Sequence, residues 1–130
     1  VQASLENASG IVATATDITY DTELVRVVLD GDTPDCTIDA AIADGTTADK
    51  EAIEAQVIPG EGSFATLRVG VLSYENFNPI PNGALFACTF EIDPSAPPGA
   101  TSLVVTAAAS DENSDEVEVG GVDGSITVLP

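Results

Sequence analysis

Between residues 64 and 73 apolar and polar side chains take turns: Ala65, Leu67, Val69 and Val71 against Thr66 and Arg68. A period of two places each set on one side of an extended chain, the signature of a half-buried β-strand rather than of a helix face. The pattern recurs. Val1, Ala3 and Leu5 share a side in a first short strand, and Val12, Ile18 and Tyr20 do so within 11–20. Residues 24–29 set Val25, Val27 and Leu29 inward and Arg26 outward. Residues 84–92 set Phe86, Cys88, Phe90 and Ile92 against Thr89 and Glu91, and 102–109, 116–119 and 125–129 follow. Turn signals separate them: Asp30-Gly31-Asp32, Pro59-Gly60, Pro81-Asn82-Gly83, Pro98-Gly99 and Asp123-Gly124. About eight short strands at this spacing predict an all-β chain, a β-sandwich or a barrel. No repeat or low-complexity linker interrupts it, so residues 1–130 read as a single domain.

One stretch departs from the pattern. Residues 46–57 are rich in Ala and Glu, with Ile53 and Val57 four apart. They predict either a short helix near 47–57, capped by Thr47, or a solvated loop.

Charge narrows the partners. The chain carries 22 Asp and Glu against 3 Lys and Arg, a net charge of −19. Phosphate binding relies on clustered cations, so nucleic acid is excluded as a partner and anionic membrane surfaces are disfavoured. Acidic disordered tails are poor in apolar residues, whereas 44 % of this chain is hydrophobic. The longest uncharged stretch, 94–110, is broken by Pro97, Pro98 and Gly99 and is too short to cross a bilayer, so no membrane insertion is expected. Val1 follows no basic or apolar leader, and the sequence reads as a processed or trimmed product.

The absence of His removes Ser-His-Asp and Cys-His catalysis. Paired carboxylates follow trivially from 22 acids and carry no information, so the chain reads as no enzyme. Three acidic clusters are candidate Ca²⁺ ligands: Asp30, Asp32 and Asp35; Asp44 and Asp49; and Asp111, Glu112, Asp115 and Glu116. None has EF-hand spacing, and with 22 acids in the chain a solvated loop is the more ordinary reading of each; Ca²⁺ is the one cofactor with any candidate site. Asn7-Ala8-Ser9 is an N-glycosylation sequon, which makes a covalent glycan on Asn7 a candidate. Sugar platforms need several coplanar aromatics, and only Tyr20, Tyr74 and Phe77 are free for that, each with a packing or turn role as the alternative. Cys36 and Cys88 are either a disulfide or a loop thiol and a small core residue.

The chain resembles the cohesin family. The matching segments are 80–92 (IPNGALFACTFEI), 96–101 (APPGAT) and 122–128 (VDGSITV), joined upstream by 5–12 (LENASGIV), 18–21 (ITYD) and Leu24. They follow the order of a cohesin: a Gly turn, a G-x-L-x-x-x-x-F-x-I strand, a Pro-Gly turn, a long strand and a closing G-x-I-x-V strand. Residues 30–61 do not align, and cohesins open with an extra stretch before the strand in which Val1 lies. The resemblance implies a cohesin-like, antiparallel β-sandwich of the jelly-roll kind with eight to nine strands, which binds a dockerin-like partner through a sheet face in a secreted or cell-surface setting. That setting favours the Cys36–Cys88 disulfide.

The ends of the chain add a second expectation. Val1, Ala3 and Leu5 at one end and Ile126 and Val128 at the other lie in terminal strands, and an incompletely paired edge is a template for strand addition. The leading expectation is therefore a secreted structural module that self-assembles, as a homo-oligomer or filament subunit, through these terminal strands. Recognition of a dockerin or another surface protein is the alternative, and carbohydrate binding the third.

Overall fold

The computed structural model describes all residues, 1–130. In chain order its strands are β1 (Gln2–Leu5), β2 (Ala13–Asp21), β3 (Val25–Val27), β4 (Leu29–Asp30), β5 (Thr33–Pro34) and β6 (Cys36–Ile38). There follow β7 (Ala52–Pro59), β8 (Phe64–Leu72), β9 (Gly83–Cys88), β10 (Phe90–Ile92), β11 (Gly99–Ser110), β12 (Glu116–Val117) and β13 (Gly124–Val128). All pairings are antiparallel. One layer is a six-stranded sheet in the order β12-β11-β2-β8-β7, with β13 beside β11. The other is β1-β9-β6, continued by the β10-β3 pair. The expected all-β sandwich is what forms, with 13 strands: the 24–29 and 84–92 runs are each split in two, and β5, β6 and β7 lie where no strand was predicted. Thr89 interrupts the 84–92 run, separating β9 from β10.

Alternation sets the core. Ala65, Leu67, Val69 and Val71 of β8 are all buried, as are Ile18 and Tyr20 of β2. They meet Leu5, Val25, Val27, Phe86 and Cys88 from the other layer in one cluster. Each large apolar side chain fully withdrawn from water contributes about 1.5–3 kcal/mol. Tyr20 packs edge-on against Phe90, ring centroids 5.3 Å apart, so it is a core residue. Leu29, expected inward, is 55 % exposed. The chain leaves β3 at Val27 and turns through Gly31 (φ 68°) into a two-residue hairpin, where Pro34 takes the buried position instead. Ile92 pairs with Val25 but, at the end of its strand, stays 42 % exposed.

The helix expected near 47–57 does not form. Residues 52–59 are β7, paired along their length with β8. Ile53 and Val57 lie opposite Val71 and Leu67, and Ala55 lies opposite Val69. A spacing of four satisfies a period of two as well as one of 3.6, and the unpaired edge of β8 decides between them, because pairing outweighs weak propensity.

The preceding segment, 39–50, is a closed loop rather than a helix. Lys50 N–H donates to Ile42 O (2.9 Å), Gly45 N–H to Asp49 Oδ1 (2.8 Å) and Asp49 N–H to Thr46 Oγ1 (3.2 Å). Ile42, Ala48 and Lys50 are its buried residues. Lys50 is fully enclosed, and its Nζ donates to Asn76 Oδ1 at 3.1 Å. Burial lowers the Lys50 pKa, opposed by the nearby charges of Glu51 and Asp49. Asn76 Oδ1 also accepts from Asn78 N–H (3.1 Å), so removing the ammonium leaves it paired. Lys50→Met, which keeps the stem and removes a desolvated charge, is therefore expected to hold or raise the melting temperature. Lys50→Ala empties the stem's volume and should cost about 2–4 kcal/mol. Thermal unfolding followed by circular dichroism separates the two outcomes.

Candidate functional site

Residues that alternate with the core side chains of the six-stranded sheet form its outer face. The strand registers align them in three rows across β11, β2, β8 and β7: Val104, Thr19, Thr66, Ile58; Thr106, Asp17, Arg68, Gln56; and Ala108, Ala15, Gly70, Glu54. Six of these twelve residues are Gly, Ala or Thr, and the long side chains, Arg68, Ile58, Gln56 and Glu54, lie on β8 and β7. Adjacent strands lie about 4.8 Å apart, so four of them make a broad, shallow platform.

Two polar contacts order the middle. Arg68 grips Asp17 with both ends of its guanidinium, Nε to Oδ1 at 2.8 Å and Nη2 to Oδ2 at 2.9 Å. The guanidinium holds the Asp17 carboxyl below the usual carboxylate range. Thr19 and Thr66 share a hydrogen bond between hydroxyls at 3.0 Å. Around them lie exposed apolar groups: Val104 at 48 % and Phe64 at 53 %. Tyr74, 69 % exposed, donates its hydroxyl to Glu54, and that carboxylate raises the tyrosine's pKa. In a chain of net charge −19, this face pairs its central acid with one of only 3 bases. A flat, partly apolar face with a neutralised centre suits contact with another folded surface.

The residues singled out from sequence fall elsewhere. Cys36 and Cys88 face one another across β6 and β9 and are joined as a disulfide. Both backbone groups of Cys88 are used by Val1 on its other side, at 2.9 and 2.8 Å, so the cysteines form a non-hydrogen-bonded pair, the closer kind, with Cα atoms 4.1 Å apart. Asn7 stands exposed in a left-handed turn residue (φ 53°).

The calcium candidates do not assemble: no group of three or more Asp, Glu, Cys or His converges on one point. Asp30 and Asp32 stand exposed about the Gly31 turn. Asp35 spends its backbone N–H on Val28 O. The carboxylate of Asp111 is committed to closing its own loop, accepting from Asn113 N–H (2.9 Å) and Asp115 N–H (3.0 Å). Asp49 likewise caps the 39–50 loop.

Ala3 and Leu5 lie in β1 with Val1 just before it, bonded to Cys88, while Ile126 and Val128 lie on β13 opposite Thr101 and Gly99. These two terminal strands pair with β9 and β11 respectively and not with each other. The platform itself was legible only as the outward halves of alternating strands; Thr66 and Arg68 were outward by pattern, but their rows required the register.

The sequence profile of the Cohesin domain family matches residues 1–128. No curated protein matches the chain. Among solved structures it is similar to a cohesin in a type I cohesin–dockerin complex from Clostridium thermocellum, at 18 % identity and a TM-score of 0.70, covering 97 % of this chain and 84 % of that one. The solution structure of a Clostridium acetobutylicum protein named CaCohA2 gives 20 % identity and a TM-score of 0.68, covering 99 % and 79 %. The sixth cohesin of Acetivibrio cellulolyticus scaffoldin B, in complex with a Cel5 dockerin, gives 17 % and 0.63, covering 93 % and 79 %.

Proposed function

The chain belongs to the cohesin family, a family of non-catalytic protein–protein interaction modules, and from that premise we propose that it captures a dockerin-type partner on the outer face of its six-stranded sheet. The observation that carries this reading is the three-row platform of small side chains around the Arg68–Asp17 pair. A rigid, nearly flat face offers a partner helix close approach at little entropic cost, and the doubly bonded ion pair offers a fixed polar landmark. Two of the similar cohesins were solved with dockerins bound, which favours this reading over the filament subunit expected from the terminal strands. We read residues 1–130 as one such domain, set outside the cell, where the disulfide is stable and Asn7 is open to a glycan.

Calorimetric titration of the chain with a panel of dockerin modules tests the proposal. Saturable one-to-one binding by at least one dockerin is the expected result. Failure across the panel, together with ordered filaments of the chain alone in negative stain, would return the function to self-assembly.

A further inference from the structure

The six-stranded sheet ends on one side at β7, whose only partner is β8. Hydrogen bonds beside the hairpin show which of its backbone groups are spent. Gly60 N–H donates to Phe64 O at 3.0 Å, so bonding to β8 alternates from there through Ile58, Gln56, Glu54 and Ala52. Thr22 N–H donates to Ser63 O at 2.7 Å, which fixes the same alternation from the β2 side of β8. The N–H and C=O groups of Ile53, Ala55 and Val57 therefore point away from the sheet. β5 and β6 pass close to this edge but share no backbone bond with it. The edge is far from the residues around Val1, which lie beside 117–124 at the other side of the sheet.

Edges that stay single are short, bulged, or interrupted by a charge or a proline. β7 has eight residues in unbroken register; its proline, Pro59, is at its end and its one charge, Glu54, lies on the outer face. Beside the free groups Val57 is 38 % exposed, although it stands on the core side opposite Leu67.

The edge is also its own complement. With Ala55 opposite Ala55 of an antiparallel second copy, Ile53 meets Val57, and the edge-facing groups of all three residues bond. Glu54 then faces the neutral Gln56, and Pro59 falls outside the bonded pairs. Pairing Ile53 with Ala55 instead would set Glu54 against Glu54, and like charges directly opposite are destabilising. Pairing Ala55 with Val57 would set Pro59, which has no N–H, against Ile53. We propose that β7 is a dimerisation edge, at which two copies pair antiparallel about a two-fold axis through Ala55. Such a contact is isologous and closes at two copies. The net charge of −19 opposes it at long range, and salt screens that repulsion. The dimer is read without any dockerin, so it stands or falls apart from partner capture.

Sedimentation velocity over a concentration series reaching about 1 mM, in about 0.05 M and about 0.5 M NaCl, tests the proposal. A reversible monomer–dimer equilibrium that tightens with salt is expected, with amide exchange slowed at Ile53, Ala55 and Val57 as the dimer fills. Ala55→Pro removes an edge-facing N–H from each copy and costs no bond to β8. Edge strands tolerate proline, so the melting temperature should hold while the dimer weakens by about tenfold or more. Gln56→Lys should tighten the dimer by setting a cation opposite Glu54 on both sides of the axis, and Gln56→Glu should weaken it. If Ala55→Pro fails to fold, the two Gln56 variants, which leave the backbone unchanged, decide the matter. A chain that stays monomeric at the highest concentration in both salts overturns the proposal. So does a dimer that Ala55→Pro leaves intact, or one that Gln56→Lys and Gln56→Glu shift equally, because its contact then lies elsewhere.

Discussion

Ala15→Tyr is expected to abolish partner capture while leaving the fold intact. Ala15 lies exposed on the central strand β2, between Ala108 and Gly70, the lowest part of the platform. A tyrosine there suits a strand and has room outward, so far-UV circular dichroism and the melting temperature should stay close to those of the parent. It would nevertheless stand well above the neighbouring Ala and Gly and hold a flat partner away from the Arg68–Asp17 pair. Central positions of an interface dominate its energy, so the expected loss is about 100-fold or more in affinity, roughly 2.7 kcal/mol. Arg68→Glu should act in the same direction by a different cause. It places two carboxylates opposite one another in the middle row and removes the cation that keeps the Asp17 carboxyl low. Because Arg68 is half exposed, its ion pair contributes little to stability, and the variant should fold. Ala87→Tyr, on the exposed side of β9 in the other layer, is the control that adds the same ring without touching the platform. If Ala15→Tyr and Ala87→Tyr bind a dockerin equally, the platform is not the contact surface.

The layers of this molecule were legible because its strands alternate with few errors. The inward set of β8 reads correctly at every position, and the Gly and Pro turns fall between strands. What failed did so where one pattern serves two structures or where a residue's role depends on a distant neighbour. Ile53 and Val57 fit a helix or a strand, and only the waiting edge of β8 distinguishes them. Leu29 continues an alternating run, yet the chain has already turned away from the core to form the Gly31 hairpin. Lys50, flanked by Asp49 and Glu51, has every sign of a solvated residue; its burial depends on Asn76, 26 positions away. The acidic clusters looked like ligand sets because local sequence places carboxylates together, whereas their geometry spends them on turns. The platform was the least legible feature. Its rows combine residues from four strands, and a register is a property of pairs that no single segment encodes.

Removing the disulfide separates stability from recognition. Cys36 and Cys88 are 52 positions apart in sequence, and opening a loop of that size is expected to cost about 4 kcal/mol in the chain-entropy description. Against a total of about 5–15 kcal/mol for a domain, that lowers the melting temperature of a Cys36→Ser/Cys88→Ser double variant by roughly 10–20 °C. The loss should also be uneven. β6 has three residues, all paired to β9, and is the edge of its layer. Without the covalent tie it keeps those pairs, the backbone bonds of Asp35 and Asp39 at its two ends and the packing of Ile38, fewer contacts than an inner strand has, so amide exchange should rise first from Asp35 to Lys50, the segment that β6 anchors. The platform belongs to the other layer, ordered by β2 and β8, which share eight paired positions and lie deep in their sheet. Below the new melting temperature, dockerin affinity should therefore fall by less than about threefold, a difference near the scale of thermal energy. A large loss of affinity at a temperature where the double variant remains folded would show that the two layers are coupled through the core. Cys88 packs in that same core with Leu67 and Val69, so the coupling has a physical route; what argues against its use is that the β8 side chains hold their positions through pairing on both sides, independently of β6.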